Sequence, residues 1–389
     1  MSFQHYVPTR LLFGQGQIKN LHKQTLPGKK ALIVISSGTS TRKYGYLATV
    51  EQQLQLAGVS STVFDEIQPN PTRKNVMAGA ACAKANGCDF VIGLGGGSSL
   101  DASKAIAIMA TNDGDYWDYI YGGSGKGQSV TNAPLPIVAI TTTAGTGTEA
   151  DPWTVVTNEE TNEKIGFGFD ATFPMLSVVD PEMMTSVPPE YTAYQGFDAL
   201  FHSVEGYVSK MAHAMSDIYA LAAIESVAAN LEAAVKDGQN LEAREKVALG
   251  NTLSGFVESI CGVTSQHSLE HALSAAHPDL PHGAGLIMLS RAYFSHFAQS
   301  GACDERMIAM AKAMGNKEAT KAIDFVDTLV ALQQACGVAE LKMSDYGIEK
   351  SDLPHLAKEA RRTMGRIFNC DPVTLSDEDC TAILEASYR

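Results

Sequence analysis

Hydrophobic and polar positions follow two different patterns along the 389-residue chain. In the first half, short apolar runs alternate with stretches whose apolar positions recur every three or four residues. The runs are typical of strands buried on both faces, and the stretches between them are typical of amphipathic helices. The clearest runs cover residues 31–35, 62–64, 89–93, 135–140 and 176–179. This alternation predicts a parallel sheet with helices on both faces.

Beyond residue 185 the spacing of apolar residues becomes helical. Apolar residues recur every three or four positions from Ile218 to Val235, and similar patterns cover residues 241–260, 284–297, 307–314 and 322–336. Such spacing predicts amphipathic helices, and no run as strand-like as residues 31–35 follows. We therefore predict an α/β domain over residues 1–185 and an all-helical domain over residues 186–389.

Composition narrows the range of possible partners. Apolar residues make up 45% and charged residues 19% of the chain, as in globular proteins. The net charge of −14 argues against a nucleic-acid or anionic-membrane partner. Seven scattered cysteines without a CxxC motif are typical of free thiols in a reducing compartment. With no signal peptide and no apolar run long enough to span a membrane, we expect a soluble cytoplasmic protein.

Two loops rich in glycine and threonine follow predicted strands. The first is a glycine loop over residues 94–99, and it follows the third strand of the alternation instead of the first. The stretch GLGGGS over residues 93–98 comes near the GxGxxG fingerprint but ends in serine. Either a tight turn or a phosphate-binding loop accounts for it, because glycines let a phosphate approach the backbone at a helix start. The second loop covers residues 141–148. Two such loops on one sheet favour a dinucleotide site.

Four of the ten histidines lie in residues 265–283. His267 and His271 are one helical turn apart and project from the same face. Pro278 and Pro281 then end the helix, so His282 returns from a loop or from the start of a following helix.

A second pair with one-turn spacing, Asp198 and His202, precedes this segment. A single histidine on an apolar helix face is more often a core residue than a metal ligand. Two helices that each offer such a pair instead favour a shared divalent cation. Nitrogen and oxygen ligands suit Fe(II), Zn, Mn or Co and leave a position open for substrate.

Five motifs, in chain order, together resemble the group III, iron-activated alcohol dehydrogenase family. They are PNPT, GLGGGSSLDASKAIA, TTTAGTGTEAD, GFDALFHSVEGY and LPHGAG, and they run from Pro69 to Gly285. The resemblance implies a dehydroquinate synthase-like fold, in which an α/β dinucleotide-binding domain is joined to an all-α metal-binding domain.

The resemblance also implies roles for individual residues. Asp198, His202, His267 and His282 would be the metal ligands, and His271 would lie near the nicotinamide as a proton relay. His277 has no counterpart and is an alternative ligand. Cofactor contacts would come from Ser36, Asn70, Gly96, Gly97, Ser98, Asp101, Thr141, Thr142, Thr146 and Lys164. Asp101 also fits the role of a first-turn carboxylate favoured by the helix dipole, and Lys164 that of a solvated surface lysine.

The end of the first strand bears on the choice of cofactor. Members of the family that use NAD tend to carry aspartate there, whereas this chain has Ser36, followed by Arg42 and Lys43. Hydroxyls and cations favour a 2′-phosphate, so we expect NAD(P)(H) with a preference for NADP(H). The alternative is that both cations simply face solvent.

The resemblance implies reversible hydride transfer between a small primary alcohol or diol and NAD(P). It also implies that the metal is Fe2+ or, alternatively, Zn2+, and that the protein is a homo-oligomer of two or more subunits. A glycerol dehydrogenase-like or dehydroquinate synthase-like enzyme is the nearest alternative. The residues flanking the candidate ligands include no lysine or arginine for a substrate phosphate, which argues against the synthase. A non-enzymatic metal-binding protein is a further alternative, against which the two loops argue.

Overall fold

Six strands form one parallel sheet in the computed structural model, which describes residues 2–389. Two further strands lie outside this sheet. In chain order all the strands of residues 2–389 are β1 (Arg10–Phe13), β2 (Lys30–Ser36), β3 (Ser60–Ile67), β4 (Phe90–Gly95), β5 (Ile137–Thr141), β6 (Thr154–Asn158), β7 (Glu163–Phe167) and β8 (Leu176–Val179). The sheet has the order β1-β8-β5-β4-β2-β3, and β6 and β7 form a separate antiparallel hairpin. The predicted parallel sheet is confirmed, because the central strands are apolar and buried on both faces.

Helices cover this sheet as the apolar spacing predicts. They are α1 (Ser40–Lys43), α2 (Tyr46–Leu56), α3 (Arg73–Asn86) and α4 (Gly97–Met109). On one face, Leu47, Val50 and Leu54 of α2 belong to the same buried cluster as Ile33 and Ile92 of the sheet. A capping box of Thr72 and Asn75 starts α3. The apolar core on this face thus joins α2 to the middle of β2 and β4.

The strand order creates a topological switch point. β2 pairs with β3 on one side and with β4 on the other, so the connections that leave β2 and β4 run in opposite directions. In sheets of this type, ligands bind beyond the carboxyl ends of the strands at such a point. Ser36 ends β2 and Gly95 ends β4, so both lie at the position expected for a bound nucleotide.

The rest of the described chain is helical. Its helices are α5 (Pro189–Val208), α6 (Ala214–Lys236), α7 (Leu241–Cys261), α8 (Ser265–Ala276), α9 (His282–Ser300), α10 (Asp304–Ala313), α11 (Ile323–Ala335), α12 (Leu353–Met364) and α13 (Asp377–Ser387). Contacts divide the molecule into two compact units, Val7–Ser186 and Val187–Arg389, and the N-terminal residues through Tyr6 belong to the second. The predicted all-helical character of the second region is confirmed.

Helix α6 has a length and a composition compatible with a membrane span. The most apolar 18-residue window of α6 has a mean hydropathy of 1.4, and a third of that window is buried. Core helices of water-soluble bundles have the same length and composition. Ile224, Val227 and Leu231 are fully buried in the helical unit, so packing accounts for the apolar face of α6, and a single helix of this kind is weak evidence for a membrane span.

Candidate active site: a cluster of metal-ligand side chains and a glycine-rich sheet edge

Three helices bring the predicted ligand side chains together. Asp198 and His202 lie one turn apart on α5, His267 lies in the first turn of α8, and His282 is the first residue of α9. Pro281 is the residue before α9 and cannot donate a backbone hydrogen bond, so the chain turns there and presents His282 at a helix start.

The Oδ1 atom of Asp198 lies close to the Nε2 atoms of all three histidines. It lies 3.5 Å from His282 Nε2, 3.6 Å from His267 Nε2 and 3.8 Å from His202 Nε2. Four ligands at about 2.1 Å from a tetrahedral cation would be separated by roughly 3.4 Å. The ligand atoms of Asp198, His267 and His282 all lie within 4.8 Å of one another. The spacing therefore fits a shared cation.

Two of the candidate ligand atoms are buried without a hydrogen-bond partner within residues 2–389. They are Oδ1 of Asp198, a residue only 3% exposed, and Nε2 of His267. Buried polar atoms are rarely left in this condition unless they bind water or an ion. Both atoms face the same point, so the residues present fit a metal ion.

The electrostatics of the cluster favour positive charge. Burial alone would raise the pKa of the Asp198 carboxyl, but the imidazoles of His202 and His282 hold that pKa well below its ordinary value. Burial would lower the pKa of His267, but Glu205 and Asp198 raise it to about 10. A site that holds an extra proton so strongly also attracts a divalent cation in its place, because the ligands must lose that proton to bind a metal.

Sequence reasoning missed three glutamates that touch the ligand histidines. Fully buried Glu205 of α5 lies with Oε1 2.7 Å from His267 Nδ1, and its Oε2 accepts hydrogen bonds of 2.9 Å from the backbone N–H and the hydroxyl of Thr264. Glu270 of α8, also fully buried, is hydrogen-bonded to His282 Nδ1. Such carboxylates fix the tautomer of a histidine and direct its other nitrogen towards a metal.

The third glutamate is Glu258 of α7. Its Oε2 lies 3.7 Å from His202 Nε2, and its side chain is 16% exposed. The only signal for these residues in the sequence is an acidic residue close to a histidine: Glu205 follows His202 by three positions, and Glu270 precedes His271 directly. That signal is common, so it does not select them.

The remaining histidines of the segment have different positions. His271 is buried beside the ligands, with its ring centroid 5.2 Å from that of His282 and its Nδ1 3.0 Å from Sδ of Met364. His277 follows the last residue of α8, is half-buried and lies outside the group of ligand atoms. The structure therefore brings His271, but not His277, to the cluster.

In the α/β unit, the two loops predicted to bind a nucleotide lie against each other. Gly95 pairs in register with Thr141, and Gly95 O accepts a hydrogen bond of 2.9 Å from Thr142 N. A Cβ atom on Gly97 would lie 2.5 Å from Cγ2 of Thr146. Glycine is required there because of this close approach.

The glycine loop is shorter than the sequence pattern suggests. We expected a loop over residues 94–99, but β4 continues to Gly95 and α4 begins at Gly97. Gly95 has a φ of 145°, which a side chain would disfavour, so the turn is made within one or two residues. No side chain caps α4, so its first N–H groups point towards the place where a phosphate would bind.

Asp101 and Lys104 attach α4 to the second loop. Asp101 Oδ1 accepts a hydrogen bond of 2.7 Å from Thr148, and Oδ2 accepts one of 2.9 Å from Val155 N. Fully buried Lys104 donates to Thr148 Oγ1 and forms an ion pair of 3.0 Å with Asp151. Burial raises the pKa of Asp101 to about 6 although Lys104 opposes the shift. The prediction of a first-turn carboxylate is wrong, because α4 starts at Gly97 and places Asp101 in the second turn.

Other predicted cofactor residues lie at or near this edge. Thr141 is the last residue of β5, with a hydroxyl that donates to Thr143 O at 2.8 Å, and Thr142 is buried. Asn70 has a φ of 54°, in the left-handed region that asparagine tolerates. Lys164 is only 5% exposed, on β7. The interpretation of Lys164 as a surface lysine is therefore wrong, because strand pairing buries it.

A cavity of about 480 Å³ lies beyond the end of β2. Its lining residues are Ser36, Ser37, Gly38, Thr39, Arg42, Lys43 and Asp65. The Arg42 guanidinium and the Asp65 carboxylate form an ion pair of 2.6 Å, with both side chains about half exposed. Sequence reasoning missed Asp65, which comes from the neighbouring strand β3.

Comparison with known proteins agrees with this arrangement. A family model described as "Iron-containing alcohol dehydrogenase" matches residues 8–181, and one described as "Fe-containing alcohol dehydrogenase family, C-terminal" matches residues 192–388. The chain is 33% identical to 1,3-propanediol dehydrogenase from Klebsiella pneumoniae, with 99% of each covered. It is 30% identical to probable NADH-dependent butanol dehydrogenase 1 from Bacillus subtilis, again with 99% of each covered.

A solved structure gives the same result. An archaeal halo-thermophilic alcohol dehydrogenase from a Red Sea brine pool superposes with a TM-score of 0.94 at 34% identity, covering 100% of this chain and 99% of that one. The two family models, the sequence identities and the fold thus all indicate the same family. The chain belongs to the iron-containing alcohol dehydrogenase family, whose members are metal-dependent oxidoreductases.

Proposed function

We propose that this enzyme interconverts a small primary alcohol or diol and its aldehyde, using NAD(P)(H) and a divalent cation held by Asp198, His202, His267 and His282. The observation that carries the proposal is the convergence of three imidazoles on Asp198 Oδ1, at 3.5 to 3.8 Å, in a chain of this family. The names of the relatives, propanediol and butanol dehydrogenase, support a short and uncharged substrate. We propose Fe2+ as the native metal, with Zn2+ as the alternative.

In the forward direction, an alcohol and NAD(P)+ give an aldehyde, NAD(P)H and a proton. A bound cation would act as a Lewis acid on the substrate oxygen. Buried Glu205 and Glu270 hold the Nδ1 atoms of His267 and His282, so that both Nε2 atoms point towards Asp198. His271, whose ring lies next to that of His282, would accept the alcohol proton and pass it on.

For the cofactor, the uncapped start of α4 and the loop from Thr141 to Thr148 would bind the diphosphate, with Asn70 and Lys164 as further contacts. Ser36, Arg42 and Lys43 would bind a 2′-phosphate, which is the basis for our preference for NADP(H). Asp65 is paired with Arg42, and this pairing offsets part of the positive charge. The preference for NADP(H) therefore depends on whether a phosphate displaces Asp65 from Arg42.

We further propose that the enzyme works in the cytoplasm as a homo-oligomer, without a membrane or nucleic-acid partner. The net charge of −14 and the free thiols support the location. The family resemblance supports an assembly of two or more subunits. Light scattering after size-exclusion chromatography measures the assembly, and a monomeric mass would contradict it.

The activity is tested by reconstituting the protein anaerobically with Fe(II) or Zn and assaying a panel of alcohols and aldehydes with NADH and NADPH. We expect turnover of short primary alcohols or diols, faster with Fe(II), and a lower KM for NADPH than for NADH. Glycerol and a sugar phosphate belong in the panel, because turnover of these alone would favour the glycerol dehydrogenase-like or synthase-like alternative. Absence of nucleotide binding by calorimetry would contradict the proposal as a whole.

A further inference from the structure

Each of the three ligand histidines lies beside a glutamate from another helix. Glu205 of α5 contacts His267 of α8, and Glu270 of α8 contacts His282 of α9. In both pairs the carboxylate meets Nδ1, which is the nitrogen that faces away from Asp198. These two glutamates are fully buried, and they act as orienting groups behind the ligands.

Glu258 approaches its histidine from the opposite side. Its Oε2 lies 3.7 Å from His202 Nε2, the same nitrogen that lies 3.8 Å from Asp198 Oδ1. An orienting carboxylate would instead meet Nδ1. His202 Nε2 thus has two carboxylate oxygens at nearly equal distances, and it is the nitrogen on the Asp198 side of the ring.

These separations are those of neighbouring ligands on one ion. Ligands at about 2.1 Å from a metal are roughly 3.0 Å apart at right angles and roughly 3.6 Å apart at 120°. The distance from Glu258 to His202 matches the distances that relate Asp198 to its three imidazoles. The Glu258 side chain is also partly exposed, whereas Glu205 and Glu270 are fully buried, so packing restrains its position less.

We propose that Glu258 is a fifth protein ligand of the cation, an inference that rests on the ligand set proposed above. The donor set then has three nitrogens and two carboxylate oxygens, and the two carboxylates balance the charge of a divalent ion. Such a set suits a five- or six-coordinate Fe(II), Mn(II) or Co(II) better than tetrahedral Zn. A sixth position remains open for the substrate oxygen.

The test uses Co(II) as the probe, added to full-length protein from which metal has been removed by dialysis against a chelator. The visible absorption of Co(II) grows in intensity when its coordination number falls from five to four. For Glu258→Gln we expect stronger absorption bands and a Kd for Co(II) raised at least tenfold over the parent protein. The preference for Co(II) over Zn(II), measured by competition, should fall as well.

Two comparison variants separate ligation from other effects. Glu242→Gln makes the same change at an exposed site on the same helix, and it should leave both the bands and the Kd unchanged. Glu205→Gln removes an orienting group, so it should weaken binding by about 10- to 100-fold without the gain in band intensity.

A Glu258→Gln protein whose bands and Kd match the parent overturns the proposal. If that variant does not fold, a crystal structure of the parent protein soaked in Co(II) decides, because a ligating Glu258 oxygen would lie within about 2.3 Å of the ion. An oxygen beyond roughly 3 Å there would refute ligation by Glu258 while leaving the four-ligand site intact. If the parent protein binds no Co(II) at all, the proposed function fails first.

Discussion

Asp198 is the residue on which the whole cluster depends. Its Oδ1 is close to all three imidazoles predicted to be ligands, and it lies in a buried environment where charge is costly without a partner. The neighbouring imidazoles hold its pKa well below the ordinary value, so it is ionised at any pH at which the enzyme would work.

Replacing this carboxylate therefore removes both a ligand and a charge. For Asp198→Asn we expect metal content to fall below a tenth of the parent level and turnover to be lost, more than the roughly 10- to 100-fold cost of an outer partner. Metal per subunit by mass spectrometry and initial rates give the result. Asp279→Asn, at an exposed position in the same unit, is the control, and normal metal content in Asp198→Asn would contradict the ligand assignment.

A second prediction concerns the ion pair of Arg42 and Asp65, which lies where we propose that the cofactor's 2′-phosphate binds. Arg42→Ala should raise KM for NADPH by roughly 10- to 100-fold, because a hydrogen bond to a charged group contributes about 1.5–3 kcal/mol. The same variant should leave KM for NADH nearly unchanged, because NADH has no 2′-phosphate. Asp65→Ala should lower KM for NADPH, because it frees the guanidinium. Lys19→Ala, an exposed cation of the same unit, controls for net charge, and an equal effect on both cofactors would refute a 2′-phosphate site.

Sequence reasoning succeeds or fails among these residues for physical reasons. The one-turn spacing of Asp198 and His202 predicts the helix face that they share. The choice of His267 and His282 as further ligands comes from the family resemblance, because spacing alone pairs His267 with His271. Glu205 is 62 positions from His267, and Asp65 reaches Arg42 from another strand. Such pairs form only through tertiary packing, and no local pattern records them.

At the scale of the element, the attachment of α4 to the second loop can be tested through its buried ion pair. Lys104 is fully buried, and its charge is balanced by Asp151. For Lys104→Met we expect a loss of about 3–5 kcal/mol in stability, because Asp151 is left as a buried charge without its partner. Cofactor binding should also weaken, because Thr148 loses the hydrogen bond from Lys104 and keeps only the one to Asp101 and its neighbours. Urea unfolding and cofactor fluorescence measure the two effects.

The double variant Lys104→Met/Asp151→Asn provides the matched control. It removes the charge that Asp151 would carry without Lys104, so it should recover part of the lost stability while cofactor binding remains weak. If the single variant were as stable as the parent, the ion pair would have no role in holding the loop.

Strands and helices could be predicted where buried apolar residues recur at a regular spacing along the chain. The strands β2, β4, β5 and β8 and the long helices follow from their apolar patterns. Strand β1 is only four residues long, begins with an exposed arginine, and exists because it pairs with β8 far along the chain. The β6–β7 hairpin has polar and apolar residues on both sides. Short elements held by distant partners leave little periodicity to read.

At the scale of the whole molecule, a buried acid makes stability depend on pH. Asp371 is fully buried, accepts hydrogen bonds from Ser265 N at 2.8 Å and Tyr293 at 3.1 Å, and has no partner for Oδ2 within residues 2–389. Burial raises its pKa to about 7, although both hydrogen bonds oppose the shift. Between its unfolded pKa of 3.8 and about 7, the unfolded chain binds fewer protons than the folded one, so rising pH favours unfolding.

Asp371→Asn should remove this dependence, because the amide resembles the protonated acid. We expect the variant to gain stability relative to the parent as pH rises from about 4 to 8, by about 4 kcal/mol at most. Thermal melts of both proteins across that range measure the difference. Asp345→Asn, at an exposed site, should show no such trend, and a constant difference between Asp371→Asn and parent would refute the shift.

The four predicted ligands of the cation come from α5, α8 and α9, and α6 and α7 separate α5 from the other two in the sequence. During synthesis the complete set cannot assemble until α9, which carries His282, has left the ribosome and docked on its neighbours. If these groups hold the cation as proposed, we expect its uptake to follow translation of most of the helical unit. Cells starved of iron during expression should accordingly accumulate intact chains that become active when the ion is supplied afterwards.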